Sequence, residues 1–324
     1  LSPQQRFASD SPMNFFVAVT DYDWFLLHAS KPGVEEVNFW RPSPTASFKA
    51  LGMGEMLLFK LHAPRNFIVG GGFFTRFVQL PISLAWESFG EGNGVRSLSE
   101  MRDRIATYRR SPIGPMDNPS VGCILLAEPF FFSESNWIPI PSDFSLNIVQ
   151  GKGYSSQDAS TGEVLWRAVT EALSIDTNAT FNPGPATIAA VESRYGAPTL
   201  VRPRLGQGAF RVIVTEVYDR RCTITGERTL PVLEAAHIKP YGSGGPHQPE
   251  NGLLLRSDLH TLFDQGYMTV DAAELKVIVS SRIREEFENG RDYYQLHGKP
   301  IRLPSETSSL PSREYLAFHN SVFR

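Results

Sequence analysis

His260 and Asp264 stand four residues apart in the run SDLHTLFDQG. On a helix that spacing puts an imidazole and a carboxylate on one face. Such a pair makes half a site for a divalent cation, with positions left for water and a phosphate. Ser257 is placed to cap the helix, which should run to about Gln265, with Gly266 free to take the left-handed stop. Leu259, Leu262 and Phe263 point elsewhere and can pack. Upstream lie His237 and Asn251. A neutral imidazole is suited to take a proton from water, because its ordinary pKa lies near working pH. Singly, these would read as polar surface residues and one structural histidine. Their order along the chain argues for chemistry.

The elements that must position them can be read from the same stretch. Residues 229–238 are extended in character, with Val232, Leu233 and Ile238 apolar. Pro240 blocks continuation, and the loop SGGPHQPE follows. Residues 252–255 make a second apolar strand. Strand, loop, strand and helix bring the end of the first strand, where His237 sits, beside the helix face. Asn251 closes the loop, where its amide can bond backbone and hold His237 in place.

These residues carry a resemblance. AAHIKP around His237, NGLLL at Asn251 and DLHTLFDQG around His260 and Asp264 resemble the HNH nuclease family, with its ββα-metal fold. The likeness is greatest to the branch that includes McrA-type restriction endonucleases. The run RLGQGAFRVIVTEVYDRRCTITG resembles the lead-in of that branch, so the likeness covers roughly residues 190–275. It implies that His237 is the general base, that His260 and Asp264 hold the metal, and that Asn251 orders the loop. Two departures stand out. Many relatives carry a metal-binding Asp or His directly before the base, where this chain has Ala236. Glu234 could help, but strand alternation puts it on the face opposite His237. Some relatives also carry paired CxxC motifs for structural zinc, which Cys123 and Cys222 cannot supply.

The whole chain sets bounds. Its 324 residues suffice for two domains. A hydrophobic share of 41% with 20% charged residues describes a globular protein, and no apolar run approaches a membrane span. Two cysteines fit a reducing, cytoplasmic setting without a disulfide framework. No signal peptide is visible, and the start at Leu1 without methionine is consistent with a trimmed beginning. The net charge is −3, and neither half is strongly basic. Contact with phosphates must then come from local clusters. The best candidates are Arg202, Arg204, Arg211, Arg220 and Arg221 ahead of the motif, with Lys239 and Arg256 flanking it. Any one of them could equally be a solvated surface residue.

The first 150 residues read as short strands with one or two helices, after a loose polar end over residues 1–12. NFFVAVT, VNFWRPS, GEMLLFKLH, NFIVGGGFF and VGCILLAEPFFF have strand character. A helix is expected over 97–110, with Ser97 or Ser99 as cap and Met101, Ile105 and Tyr108 on one side. This pattern suggests a small, curved β-barrel. VAVTDYDWF, FWRPS, the GEMLLFKLHAPRNFIVGGGFF pair, and GCILLAEPFFF with NWIPIP are similar to the PUA superfamily, within it to EVE-type domains. The resemblance implies nucleic-acid binding and, as in several relatives, a modified base flipped into an aromatic pocket. Stacking a base on aromatic faces contributes about 1–3 kcal/mol. Candidates are Trp24, Trp40 and Trp137 for stacking, with Asp21 and Ser43 for hydrogen bonds. With 22 Phe and 5 Trp, most aromatics must nevertheless be core.

Residues 151–188 read as a connecting helix and linker, with a boundary near Asn182. Val164, Leu165, Ala168, Val169 and Ala172 give that helix one apolar face, which should pack on a domain. The tail from Ala272 holds the strand KVIVSS and then packs on the second core or forms a dimer contact. The expectation is thus an α+β protein: a PUA/EVE-like barrel over 1–150, a connection, and an HNH nuclease domain over 189–324. Its expected function is that of a modification-dependent, type IV-like restriction endonuclease. It would read 5-methyl- or 5-hydroxymethylcytosine in double-stranded DNA by base flipping and hydrolyse the backbone with Mg²⁺ or Mn²⁺; Ni²⁺ or Zn²⁺ would also suit a His/carboxylate pair. No membrane contact is expected. Double-strand cutting would need a homodimer or two nicks. Alternatives are a front domain that binds RNA or unmodified DNA, and an inactive HNH scaffold.

Overall fold

The computed structural model describes residues 13–44, 47–158, 161–180 and 205–323. The expected loose start, the linker with its boundary near Asn182, and Arg202 and Arg204 lie outside them. The chain divides into two compact units, Leu1–Arg204 and Leu205–Arg324.

In the first unit, β1 (Asn14–Thr20) and β3 (Met56–Leu61) pair in parallel at the middle of a mixed sheet. Every residue of β3 is buried, Lys60 included, as the otherwise apolar run MLLFKL requires of a strand covered on both faces. The sheet continues through β4 (Phe67–Pro81), β5 (Ser120–Phe131) and β2 (Glu36–Arg41) on one side, and β7 (Gly151–Ser155) on the other. The short β6 (Ile138–Pro139) pairs with β4. Gly70 has φ +157°, and a Cβ there would meet the Phe130 carbonyl at 2.2 Å. Only glycine lets β4 approach β5 so closely. Register shifts beside this glycine run bend the sheet.

The expected barrel is not closed. The described sheet is an open path with β2 and β7 at its ends. The five residues of β7 pair with β1, and β2 pairs with β5. Closure between the ends is left to side chains, with Arg41 donating to Gln150 just before β7.

The helices of this unit also differ from expectation. Tyr22–Ala29 forms α1 directly after Asp21. Ile82–Phe89 forms α2 after Pro81. Leu98–Arg109 forms α3, capped by Ser97, whose hydroxyl accepts from the Glu100 amide at 3.1 Å. Met101 and Ile105 are buried under it, whereas Tyr108 is half exposed. Gly162–Thr180 forms α4, and its Leu165, Val169, Ala172 and Leu173 pack with Phe15 and Tyr154. Val164 points to solvent. Both β7 and α4 therefore belong to this unit.

The second unit begins with α5 (Gln207–Val217). A hairpin of β8 (Leu233–His237) and β9 (Gly252–Arg256) leads straight into α6 (Ser257–Asp264). Then come the hairpin β10 (Met268–Val270) and β11 (Val277–Val279), α7 (Arg282–Phe287), α8 (Arg291–Tyr294) and α9 (Arg313–Val322). One core joins Phe210 and Val214 of α5, Leu253–Leu255 of β9, Leu259 and Phe263 of α6, and Leu316 of α9. The tail thus packs on this core through α9. No helix among the described residues is long and apolar enough to cross a membrane.

Candidate active site

The hairpin register sets the site. His237 ends β8 opposite Gly252, and Leu233 begins it opposite Arg256. A Cβ on Gly252 would lie 2.4 Å from Val214, so α5 rests directly on the strand. That close approach brings Phe210 against His237, with ring centres 4.0 Å apart and planes 13° apart. Residues 230–232, expected to be extended, form a 3-10 turn before the strand.

Asn251 is fully buried and ties the loop between the strands. Its Oδ1 accepts from the Lys239 amide at 2.9 Å. Its Nδ2 donates to the carbonyls of Lys239 and Pro246, each at 3.0 Å. Three bonds from one buried amide close a loop that has no regular structure of its own beyond short 3-10 turns.

The loop carries a residue the sequence reading did not single out. His247 Nδ1 lies 2.9 Å from His237 Nε2. The His247 ring is stacked on Tyr241, with centres 4.4 Å apart. Burial lowers the pKa of His237 to about 4, and the charge of His247 pushes in the same direction. His237 is therefore neutral across the ordinary working range. Asp264 raises that pKa and His260 lowers it, so the strand-end imidazole lies within the electrostatic reach of the helix pair.

Helix α6 starts at Ser257, with Arg256 in the cap position and no side-chain cap bond. Ser257 is the first helical residue, contrary to its expected capping role. Arg256 reaches instead to Asp258 in the first turn, with two 2.7 Å contacts. Gly266 takes the left-handed stop at φ +72°. His260 Nε2 and Asp264 Oδ2 are 3.2 Å apart. The other ring nitrogen of His260, Nδ1, lies 2.6 Å from Glu234 Oε2. Glu234 was expected to point away from the site. Strand alternation does put Glu234 on the face opposite His237, but α6 packs on β8 and brings His260 to it. Burial depresses the His260 imidazole, but hydrogen bonds with Asp264 and Glu234 outweigh this and raise its pKa.

These donors fit a divalent cation. Two ligands each about 2.0–2.2 Å from one ion place their donor atoms roughly 3 Å apart, as His260 Nε2 and Asp264 Oδ2 are. A carboxylate on the second ring nitrogen is the usual support for a metal-binding histidine, since it fixes the proton there and frees the other nitrogen's lone pair. Among the described residues no group of three His, Cys, Asp or Glu is arranged to hold an ion. Ala236 is fully buried and offers no donor. Two protein ligands would leave the remaining positions to water and phosphate oxygens.

The stretch holding His237, Asn251, His260 and Asp264 also has a match among known families. Residues 222–271 match the family model described as HNH endonuclease. No curated protein matches the chain in sequence. Among solved structures, a point mutant of the ZmASCH protein from Zymomonas mobilis is similar at 11% identity and TM-score 0.28, over 39% of this chain and 76% of that one. A second, described as the modification-dependent TagI restriction endonuclease, is similar at 13% identity and TM-score 0.30, over 94% of this chain and 81% of that one.

Around the matched stretch the basic candidates are variously engaged. Arg220 pairs with Glu216 at 2.7 Å, and Arg256 with Asp258. The Lys239 ammonium sits over the Phe318 ring, 5.1 Å from its centre. Arg221 is half-buried beyond the end of α5, and Arg211 lies on that helix. Cys222 opens a tight turn, closed by the Gly226 amide on its carbonyl at 2.9 Å. It is a free, buried thiol.

In the first unit the five expected base-pocket residues separate. Trp24 is core. It is 6% exposed and enclosed by His28, Phe39, Phe59 and Phe131. Trp137 packs on Phe25 and Phe67, and its indole N–H donates to the Phe132 carbonyl at 3.2 Å. Trp24 therefore has no open face for a base, whereas Trp137 is partly buried. Ser43 is exposed at a loop. Asp21 and Trp40 do meet, through Tyr108, which the sequence reading took for a packing residue. The Tyr108 hydroxyl donates to Asp21, and its ring stands edge-on to Trp40. His62 lies 3.3 Å from the other Asp21 oxygen. Trp40 donates its indole N–H to the Asn93 carbonyl at 2.8 Å, which fixes the ring plane.

Proposed function

We propose that this chain is a divalent-metal-dependent DNA endonuclease whose first unit selects DNA carrying a modified cytosine. The observation that carries the nuclease reading is that one strand, β8, ends in the neutral imidazole of His237 and, through Glu234, contacts His260 of the helix-borne His260–Asp264 pair. A general base and a Lewis-acid site side by side are what phosphodiester hydrolysis requires.

In this reading His237 takes a proton from the attacking water. Its stack on Phe210 and the loop tied by Asn251 hold the ring still. His260 and Asp264 would hold the cation, and Glu234 would keep the His260 lone pair aimed at it. The cation, when bound, supplies charge stabilisation at the phosphate and at the leaving 3′ oxygen. Products then carry a 5′ phosphate and a 3′ hydroxyl. Arg211, Arg221 and Lys239 are the basic residues best placed in sequence to meet the backbone. His237→Ala should abolish plasmid nicking in Mg²⁺ or Mn²⁺ while leaving DNA binding nearly intact. Nicking at a normal rate by that variant would remove His237 as the base.

The reader half rests on the sequence resemblance of residues 1–150 to PUA/EVE domains and on the Asp21–Tyr108–Trp40 cluster. Trp40 offers an aromatic surface, and Asp21 with Tyr108 offers hydrogen bonds to a base edge. Flipping a base costs a few kcal/mol, which such contacts must offset. Binding measured on matched duplexes with cytosine, 5-methylcytosine and 5-hydroxymethylcytosine is the test. Equal affinity for all three would end this half of the proposal.

A further inference from the structure

We propose that His247 is a positioning residue for the general base: it holds the proton of His237 on Nε2 and so leaves Nδ1 free to accept from water. The inference rests on the nuclease reading above, and goes beyond it by assigning the loop histidine a role.

The geometry narrows the possibilities. A neutral imidazole has one N–H and one lone pair, and which nitrogen carries which is set by the partner of the other. His237 Nε2 and His247 Nδ1 are 2.9 Å apart, so one of them donates to the other. If His237 donates, its Nδ1 lone pair is the only basic position left on the ring. If His247 donated from Nδ1, the His237 lone pair would be consumed at Nε2, and Nδ1 would carry the proton and could not serve as a base. Only the first arrangement gives a working site.

The surroundings support a fixed pair. Phe210 stacks on His237 and Tyr241 stacks on His247, with planes 13° and 9° apart respectively. Each ring is thereby held in plane, and the two imidazoles are tilted 57° to one another. The loop that presents His247 is anchored by Asn251 to Pro246, the residue immediately before it. Gly245 must be glycine, because a Cβ there would fall 1.9 Å from the Lys239 carbonyl. The chain is thus built to deliver residue 247 to one place.

The contact also acts at the right moment. As His237 accepts the proton from water at Nδ1 it becomes an imidazolium, and its Nε2–H bond to His247 becomes charge-assisted and stronger. An interaction that strengthens as the barrier is climbed raises kcat and leaves KM nearly unchanged.

The experiment uses the full chain and three proteins: wild type, His247→Leu and His247→Asn. Asparagine places an acceptor oxygen about where the imidazole Nδ1 stood, and leucine places none. We expect His247→Leu to lower kcat on supercoiled plasmid by roughly 10–100-fold, by analogy with the loss of a partner that orients a metal-ligating imidazole, with little change in KM. His247→Asn should recover most of that loss. Nitrogen-15 NMR of the histidine side chains should show His237 as the Nε2–H tautomer in wild type and His247→Asn, and as a mixture in His247→Leu. The proposal is overturned if His247→Leu keeps both the wild-type kcat and the wild-type tautomer, or if His247→Asn is as slow as leucine. The tautomer is read without turnover. A wild-type protein that cuts no DNA yet shows the expected NMR pattern would sink the nuclease reading while leaving the pairing intact.

Discussion

Glu234 Oε2 and His260 Nδ1 are 2.6 Å apart, joining the start of β8 to the middle of α6. In the proposed metal site the carboxylate would keep a proton on Nδ1 and leave the Nε2 lone pair for the cation, as a support one step removed from it.

Removing that support should loosen metal binding. Glu234→Ala is expected to weaken Mn²⁺ affinity by roughly 10–100-fold, the range for lost partners of a ligating histidine. Glu234→Gln keeps an acceptor oxygen and should lose less. Calorimetric titration of Mn²⁺ into both variants checks the order. Equal, wild-type affinity in the two would show that Glu234 has no such part.

Asn251 anchors the loop rather than touching substrate. Asn251→Ala deletes three hydrogen bonds and leaves the Lys239 amide without its acceptor. At about 1 kcal/mol each, the loss is about 3 kcal/mol. Asn251→Asp should be at least as harmful, since a carboxylate would face two carbonyl oxygens instead of donating to them. Urea unfolding followed by far-UV circular dichroism measures both. If Asn251→Asp is the milder change, the amide orientation described here is wrong.

How much of this was legible in the sequence differs from residue to residue. The His260–Asp264 pair was readable because helical spacing is fixed at four residues per near-turn, and Asn251 because a loop end needs a backbone partner. Glu234 was misplaced because strand alternation sorts residues by face and says nothing of which helix crosses the hairpin. The direct passage from Arg256 into α6, with Arg256 opposite Leu233, was the signal that could have found it. His247 and Phe210 reach the site through a loop closure and a helix docking that no local spacing encodes. In the first unit, strands β1 to β5 were visible from their apolar runs. The barrel failed because closure depends on backbone pairing between two distant edges. Trp24 failed because a tryptophan in a core and one in a pocket have the same letter.

That last distinction can be measured. Trp24→Ala should destabilise the first unit by about 3–5 kcal/mol, as truncation of a large buried aromatic does. Trp40→Ala should cost less stability and instead narrow the preference for modified over unmodified duplex, by up to the 1–3 kcal/mol of one stacked base. Thermal unfolding and matched-duplex binding together separate them. A specificity loss confined to Trp24→Ala would reverse the assignment.

Two histidines make the acid side of the activity profile depend on metal. The His260 pKa is raised, so at limiting metal a proton competes with the cation for Nε2, and activity should fall as pH drops through a value above the ordinary 6.5. More Mn²⁺ should push that limb to lower pH. At saturating Mn²⁺ the remaining limb belongs to His237, which must be neutral to accept a proton and whose pKa is lowered to about 4. Profiles of kcat/KM at two Mn²⁺ concentrations decide this. A limb fixed near 6.5 at both would count against both assignments.

His28 gives the first unit a pH dependence of its own. It is 1% exposed, its Nε2 has no hydrogen-bond partner among the described residues, and it packs on Trp24 and Phe131. Burial, with a smaller push from Lys31, lowers its pKa from 6.5 to about 4. Between those values the unfolded chain binds a proton that the folded chain refuses. Stability should therefore be constant above pH 6.5, fall as pH drops towards 4, and level off below it. At pH 5 the loss is about 2 kcal/mol, at roughly 1.4 kcal/mol for each pH unit below 6.5. His28→Leu should remove that slope. All five tryptophans lie in residues 1–204, so their fluorescence reports on this unit and not on the histidines of the second unit. Urea midpoints at pH 7.5 and pH 5, read by that fluorescence, should separate in the wild type and converge in the variant. The same separation in both would place the proton elsewhere.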